Sequence, residues 1–120
     1  MGVIAFAPDE AQEVARALAW VAAADGAILG REASFLDEFA MNHSVGGLAF
    51  IPSPLDIDRL ARVVTGVDQR MEVLRLCVRI AIADGEYADA EARAIGRIAV
   101  AFGVGEEELA TLVAATRARR

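Results

Sequence analysis

An Asp-Gly dipeptide that recurs 59 residues later constrains the fold of this chain more than any other feature. Asp25-Gly26 and Asp84-Gly85 each follow an apolar, helix-favouring run, and a glutamate, Glu32 or Glu91, stands seven residues after each aspartate. Glycine can adopt positive φ and commonly ends helices. Each dipeptide therefore predicts a corner between two helices, with its acidic side chains facing outward.

The two corners belong to a longer internal repeat. Residues 17–40 aligned with residues 76–99 share seven identities, and the apolar positions of the two segments also correspond. The chain has only three prolines and is dominated by helix formers, which favours an all-α fold. We therefore predict an all-α bundle of two helical hairpins, which bury their apolar faces on one another and are related by a pseudo-twofold axis.

Apolar periodicity outlines the helices of a single domain that spans residues 1–120. A loop at residues 42–54, rich in Gly, Pro and Ser, separates the halves, and Ser53 is the predicted cap of the helix that follows it. We expect Val14, Leu18 and Val21 to face the core. The first predicted helix begins at about Pro8 and continues as far as Asp25. The others cover residues 31–41, a short helix that starts after Ser53 and has Ile57 to Val64 on its inward face, residues 67–83 and 89–102, and the C-terminal segment.

Charge and composition restrict the partners and the location of the chain. Its net charge of −6 and pI of about 4.7 argue against nucleic acid as a partner and favour cations or proteins. No signal peptide and no apolar run long enough for a membrane span occurs, so we expect a cytoplasmic protein without membrane insertion. The single Cys77 lies in an apolar helical run and is expected to be a buried, inert thiol. A hydrophobic content of 56% leaves a homo-oligomer open.

The acids at the corners have two interpretations. An aspartate at a helix C-terminus faces the negative end of the dipole, which costs about 0.3–1 kcal/mol. Asp25 and Asp84 could offset this cost by accepting backbone N–H groups of the corner, with Glu32 and Glu91 simply beginning the next helices. Alternatively, each Asp/Glu pair forms an oxygen-lined cation site. Since no His or Cys stands nearby, Ca²⁺, Mg²⁺ or Mn²⁺ would be the cation.

Two other kinds of site do not fit the residues. An EF-hand would need oxygen ligands four and two residues before the aspartate, where the first copy has Val21 and Ala23. His43 precedes Ser44, but neither an orienting acid nor an oxyanion-hole motif accompanies them. We therefore expect a binding module and not an enzyme.

The paired "ADG" corners, each followed by an apolar residue (Ile28, Tyr87) and a glutamate, resemble those of the tellurite-resistance TerB-like domains. The resemblance covers most of the chain. The copies differ in that Gly30 stands where the second copy has Asp89, which leaves the first corner poorer in oxygen ligands.

The resemblance implies a compact bundle of six or seven helices with an acidic surface cluster. It also implies divalent-cation binding at Asp25, Glu32, Asp84 and Glu91. The family is associated with bacterial stress and tellurite-resistance systems that assemble near the membrane, which implies a protein partner. A metal-free interaction scaffold, in which the same acids only shape the corners, stays open as the alternative.

Overall fold

The computed structural model describes residues 6–25, 30–43, 55–82 and 89–118 of the chain. Within these ranges all regular structure is helical and no strand occurs, so the predicted all-α bundle is confirmed. The elements are α1 (Pro8–Ala22), a 3-10 turn (Ala23–Asp25), α2 (Gly30–His43), α3 (Ile57–Val63), α4 (Val67–Ala81), α5 (Asp89–Phe102) and α6 (Glu106–Ala118). The loop was predicted at residues 42–54, but Asn42 and His43 are the last residues of α2; residues 44–54 lie outside the described ranges.

Side chains near the helix ends explain where the helices begin. Pro8 is the first residue of α1, and the Glu10 carboxylate accepts a hydrogen bond from the backbone N–H of Ala7 at 2.7 Å. Asp56 caps α3 by accepting a hydrogen bond from the N–H of Arg59 at 3.0 Å. The prediction that Ser53 caps this helix was wrong, because the helix begins four residues later.

The internal repeat extends over the whole of two helix pairs. Adding 59 to the bounds of α1 gives those of α4, and adding 59 to the bounds of α2 gives those of α5. The packing of the repeated helices follows the same relation: α1 packs on α2 and α5, and α4 packs on α5 and α2. The predicted pair of pseudo-twofold-related hairpins therefore agrees with the structure.

The equivalent helices α1 and α4 pack on each other, as helices on the two sides of a twofold axis do. Glu10 and Gln69 occupy equivalent positions, and the Gln69 amide donates a hydrogen bond to the Glu10 carboxylate at 3.2 Å. Equivalent positions that touch each other must lie beside the axis. The repeat does not extend to α3 and α6, which have 7 and 13 residues.

One core lies between the two halves of the repeat. Val14, Leu18 and Val21 of α1 are all fully buried, as their periodicity predicted. From the second half, α4 and α5 add larger aliphatic side chains, among them Leu74 and Ile95. A helix at the centre of the bundle needs apolar residues on more than one side, and both α1 and α4 meet this condition.

Arg70 on α4 joins three helices at one end of the bundle. Its guanidinium donates to the carbonyls of Ala61 and Val64 at 2.7 Å each, and to that of Phe102 at 3.2 Å. It also lies over the Phe102 ring, 5.1 Å from the centroid. Ala61 lies in the last turn of α3, Val64 directly follows that helix, and Phe102 is the last residue of α5. Carbonyls at the C-terminal end of a helix lack intrahelical donors. Arg70 therefore caps two helices from a third.

Candidate functional site

The two Asp-Gly corners connect equivalent helices. Asp25 is the last residue of the 3-10 turn that follows α1. Glu32 is the third residue of α2, and Glu91 is the third residue of α5. Asp84, and the side chains of Asp25 and Glu32, lie outside what the structure describes. Of the four predicted ligands, Glu91 is thus the one whose side-chain environment can be stated.

The Glu91 side chain lies inside the protein. The residue is 2% exposed, although it stands in the first turn of α5, where Asp89 is exposed. We expected the acids near the corners to face outward, and for Glu91 this expectation was wrong. An ionised carboxylate in such a place must be met by hydrogen bonds, a cation or a proton. Burial thus separates Glu91 from an ordinary acid at the start of a surface helix.

Two other acids of the bundle have their charges met by arginine. Glu13 on α1 has a side chain only 4% exposed, and its Oε1 accepts from Arg16 at 2.9 Å and from Arg59 at 2.8 Å. The Arg59 contact links α1 to α3, 46 residues apart in sequence. A carboxylate that already faces two guanidinium groups is a poor ligand for a metal ion.

The second half of the repeat has a matching pair. Glu72 and Arg75 stand 59 residues after Glu13 and Arg16, and they form a bidentate ion pair in which Arg75 Nε lies 2.7 Å from Oε1. The hydrogen bond to Glu72 raises the pKa of Arg75 above its ordinary value. The predicted repeat starts at residue 17 and does not include these identities, although the shared Glu-x-x-Arg spacing is visible in the sequence.

The described part of the chain contains no group of three His, Cys, Asp or Glu side chains placed to hold a metal ion. This statement does not cover Asp25, Glu32 and Asp84, whose side chains are not described. The donor chemistry of the four predicted residues therefore remains the basis for naming a ligand class. Four carboxylates without a nitrogen or sulfur donor suit hard divalent cations.

Cys77, Trp20 and His43 are the other residues whose side chains could bind or react with a ligand. Cys77 is fully buried, and burial raises the pKa of its thiol to about 12, which leaves it protonated at neutral pH. Trp20 is half-buried with the Arg97 guanidinium 5.5 Å from its ring centroid. The side chain of His43 lies outside the described set. No described helix is long and apolar enough to cross a membrane.

Comparison with protein families finds a match over the second half of the chain. Residues 53–114 match the model of the tellurite resistance protein TerB. The chain belongs to the TerB family. This TerB match spans α3, α4, α5 and most of α6, so it includes the second corner, with Asp84 and Glu91. No curated protein and no solved structure compared with the chain gives a significant match.

The first corner lies before the TerB match. Asp25 and Glu32 are related to the family by the internal repeat, since α1 and α2 have the same bounds as α4 and α5 after a shift of 59 residues. The second corner therefore lies within the family match, and the first corner is related to it by the duplication. The two sites can be tested separately.

Proposed function

We propose that this TerB-family protein is a cytoplasmic binding module, not an enzyme, in a bacterial stress or tellurite-resistance system. It takes up a hard divalent cation, Ca²⁺, Mg²⁺ or Mn²⁺, at Asp84 and Glu91 and at Asp25 and Glu32. It acts through a protein partner in an assembly near the membrane. Its net charge of −6 disfavours nucleic acid as that partner.

The burial of Glu91 is the single observation that supports cation binding best. A helix-start glutamate that only favours the dipole has no reason to leave water, since the dipole effect is available at the surface. Burial removes nearly all of the hydration of the carboxylate, and a bound cation compensates for that loss together with contacts inside the protein. Asp84 precedes Glu91 by seven residues across the corner and is the nearest acid that the family motif pairs with it.

The repeated helix bounds support a second, weaker site. Equivalent helices precede and follow both corners. The first copy has Gly30 in place of Asp89, and so it has one oxygen ligand fewer within reach of the corner. We therefore expect Asp84 and Glu91 to bind the cation more tightly than Asp25 and Glu32.

Cation titration of the purified chain tests this proposal. Unfolding is followed by calorimetry in EDTA and then with Ca²⁺, Mg²⁺ or Mn²⁺. At one hundred times the dissociation constant, a ligand of the native state adds about 2.7 kcal/mol of stability. For a domain of this size that raises Tm by about 10 °C. Asp84→Asn should abolish most of the response, and Asp25→Asn a smaller part.

Glu38→Gln serves as the matched control, because Glu38 is an exposed acid on α2 outside both corners. It removes one negative charge and should leave the cation response intact. A wild-type chain whose stability does not respond to any of the three cations would contradict the proposal and leave the metal-free scaffold. The same conclusion follows if Asp84→Asn responds to the cation as the wild type does.

A further inference from the structure

The outer face of α2 is acidic and ends in an exposed apolar side chain. Asp37, Glu38 and Met41 lie within one and a half turns of the helix, and all three are exposed, Met41 to 82%. Residues at this spacing share one face of a helix. We call these three residues the acidic α2 face. Within the described part of the chain neither of its carboxylates forms an ion pair.

The outer face of α5 is basic and also ends in an exposed apolar side chain. Arg93, Arg97 and Val100 are all exposed, Val100 to 79%, and we call them the basic α5 face. Val100 is the equivalent of Met41, and Arg97 is the equivalent of Glu38, at the offset of 59 residues. The repeat therefore places an exposed apolar side chain and a charge of opposite sign at equivalent positions of the two helices.

The charges of the basic α5 face are available to a partner. Arg93 forms no ion pair with any described residue. Arg97 packs on the Trp20 ring and remains exposed, which holds its side chain in place while its donors face solvent. By contrast, Arg16, Arg59 and Arg75 already form ion pairs with Glu13 and Glu72 of the same chain.

Gly96 lies at the middle of α5 beside this face. A glycine inside a helix costs about 1 kcal/mol relative to alanine. A Cβ built on Gly96 would meet no atom of the described structure within 4 Å, so no internal contact requires the glycine. A missing side chain on an otherwise open face allows the backbone of another helix to approach closely.

We propose that a second copy of this chain docks here, with the acidic α2 face of one copy on the basic α5 face of the next. In a parallel register Met41 meets Val100, Glu38 meets Arg97, and Asp37 lies over Gly96. Because the two faces are different surfaces, the contact is head-to-tail. The net charge of −6 makes most orientations of two copies repulsive, so the orientation that pairs opposite charges is selected.

Sedimentation velocity tests the association, from about 10 µM to about 1 mM chain, the range suited to a small interface. EDTA is present throughout, so the result does not depend on cation binding. Wild type should self-associate in about 0.1 M salt and dissociate in about 1 M salt, where charges are screened beyond about 3 Å. A chain that stays monomeric over this range in 0.1 M salt overturns the proposal.

Charge reversal tests the two faces. The double variants Asp37→Arg/Glu38→Arg and Arg93→Glu/Arg97→Glu should each lose association by about tenfold or more, because each carries like charges on both faces. Mixed in equal amounts, they should associate with each other, because each then presents the complement of the other. The recovered complex would also show that both variants fold, although Arg97 contacts Trp20.

Matched controls reverse the same number of charges on other helices. Asp58→Arg/Glu107→Arg and Arg62→Glu/Arg117→Glu change exposed residues of α3 and α6. Both should associate within about threefold of wild type, since only the net charge has changed. Controls that lose association as strongly as the face variants, or a variant mixture that fails to associate, would refute docking through these two faces.

Discussion

The fully buried thiol of Cys77 makes stability depend on pH in the alkaline range. Burial raises its pKa from 9.0 to about 12, so the folded state keeps the proton that the unfolded chain releases. The stabilisation is complete below pH 9, and it is lost as the pH rises from 9 towards about 12. At about pH 10 the free energy of unfolding should be about 1.4 kcal/mol lower than at pH 7 from this group alone.

Urea denaturation of wild type and Cys77→Ala at both pH values measures this contribution. The variant is less stable at pH 7 because it leaves a small cavity, but it lacks the titrating thiol. The gap between the two proteins should therefore narrow by about 1.4 kcal/mol at about pH 10. A gap that is the same at both pH values would mean that the unfolded chain does not gain the ionisation expected of an exposed thiol.

Single residues were predictable where one local rule decided their place. Val14, Leu18 and Val21 follow a helical period, and all three are fully buried. The cap of α3 was missed because Ser53 and Asp56 both satisfy the cap preference, and only the actual start of the helix distinguishes them. Burial of Glu91 was missed because its position in a first turn is typical of an exposed acid.

At the level of helices, Arg70 is the residue on which the ends of α3 and α5 depend. Arg70→Ala removes three hydrogen bonds to carbonyls and the contact with the Phe102 ring. Hydrogen bonds from a charged donor contribute about 1.5–3 kcal/mol, and the group is not additive, so we expect a loss of about 2–3 kcal/mol. Urea denaturation gives the loss directly. Hydrogen exchange should quicken at the C-terminal ends of α3 and α5.

Arg62→Ala is the control for this change. Arg62 is an exposed arginine in the last turn of α3, and its loss should cost less than about 0.5 kcal/mol. Arg70→Lys should recover only a small part of the lost stability, because an ammonium group cannot reach three carbonyls in a planar fork. If Arg70→Ala and Arg62→Ala are equally stable, the three carbonyls are satisfied by water and the capping role is wrong.

The helices themselves were predictable from periodicity and corner residues. The bounds of α5 agree with the sequence prediction at both ends, and α4 ends two residues earlier than predicted. Contacts between helices were not predictable: the Arg59–Glu13 pair joins residues 46 apart, and nothing local selects this arginine among twelve. The side-chain geometry of three of the four predicted ligands lies outside the described residues, so that part of the site stays a prediction.

On the scale of the whole molecule, the family match covers only part of the helices that share the hydrophobic core. The match begins at residue 53, after α1 and α2, yet α1 packs on α2, α3, α4 and α5. The fully buried residues of α1 lie in the same cluster as those of α4 and α5. The second half of the chain therefore lacks its central neighbour when it is separated from the first.

We expect a fragment of residues 53–120 to have no cooperative unfolding transition. Burial of an aliphatic side chain contributes about 1.5–3 kcal/mol, so the loss of Val14, Leu18 and Val21 alone removes an amount comparable with the total stability of a small domain. The surfaces of α3, α4 and α5 that face α1 would also be exposed. Calorimetry should show a broad, weak transition, and amide proton shifts should be poorly dispersed.

Addition of a fragment of residues 1–52 should restore the fold. It supplies α1 and α2, against which the apolar side chains of the other fragment pack in the whole chain. Far-UV circular dichroism and calorimetry of the mixture would then show more helix than the sum of the parts, and one cooperative transition. The same fragment with Leu18→Asp is the control: it carries a charge at a fully buried position and should not complement. A sharp transition of residues 53–120 alone would show that the second hairpin, with α3 and α6, folds without the interface at the pseudo-twofold axis.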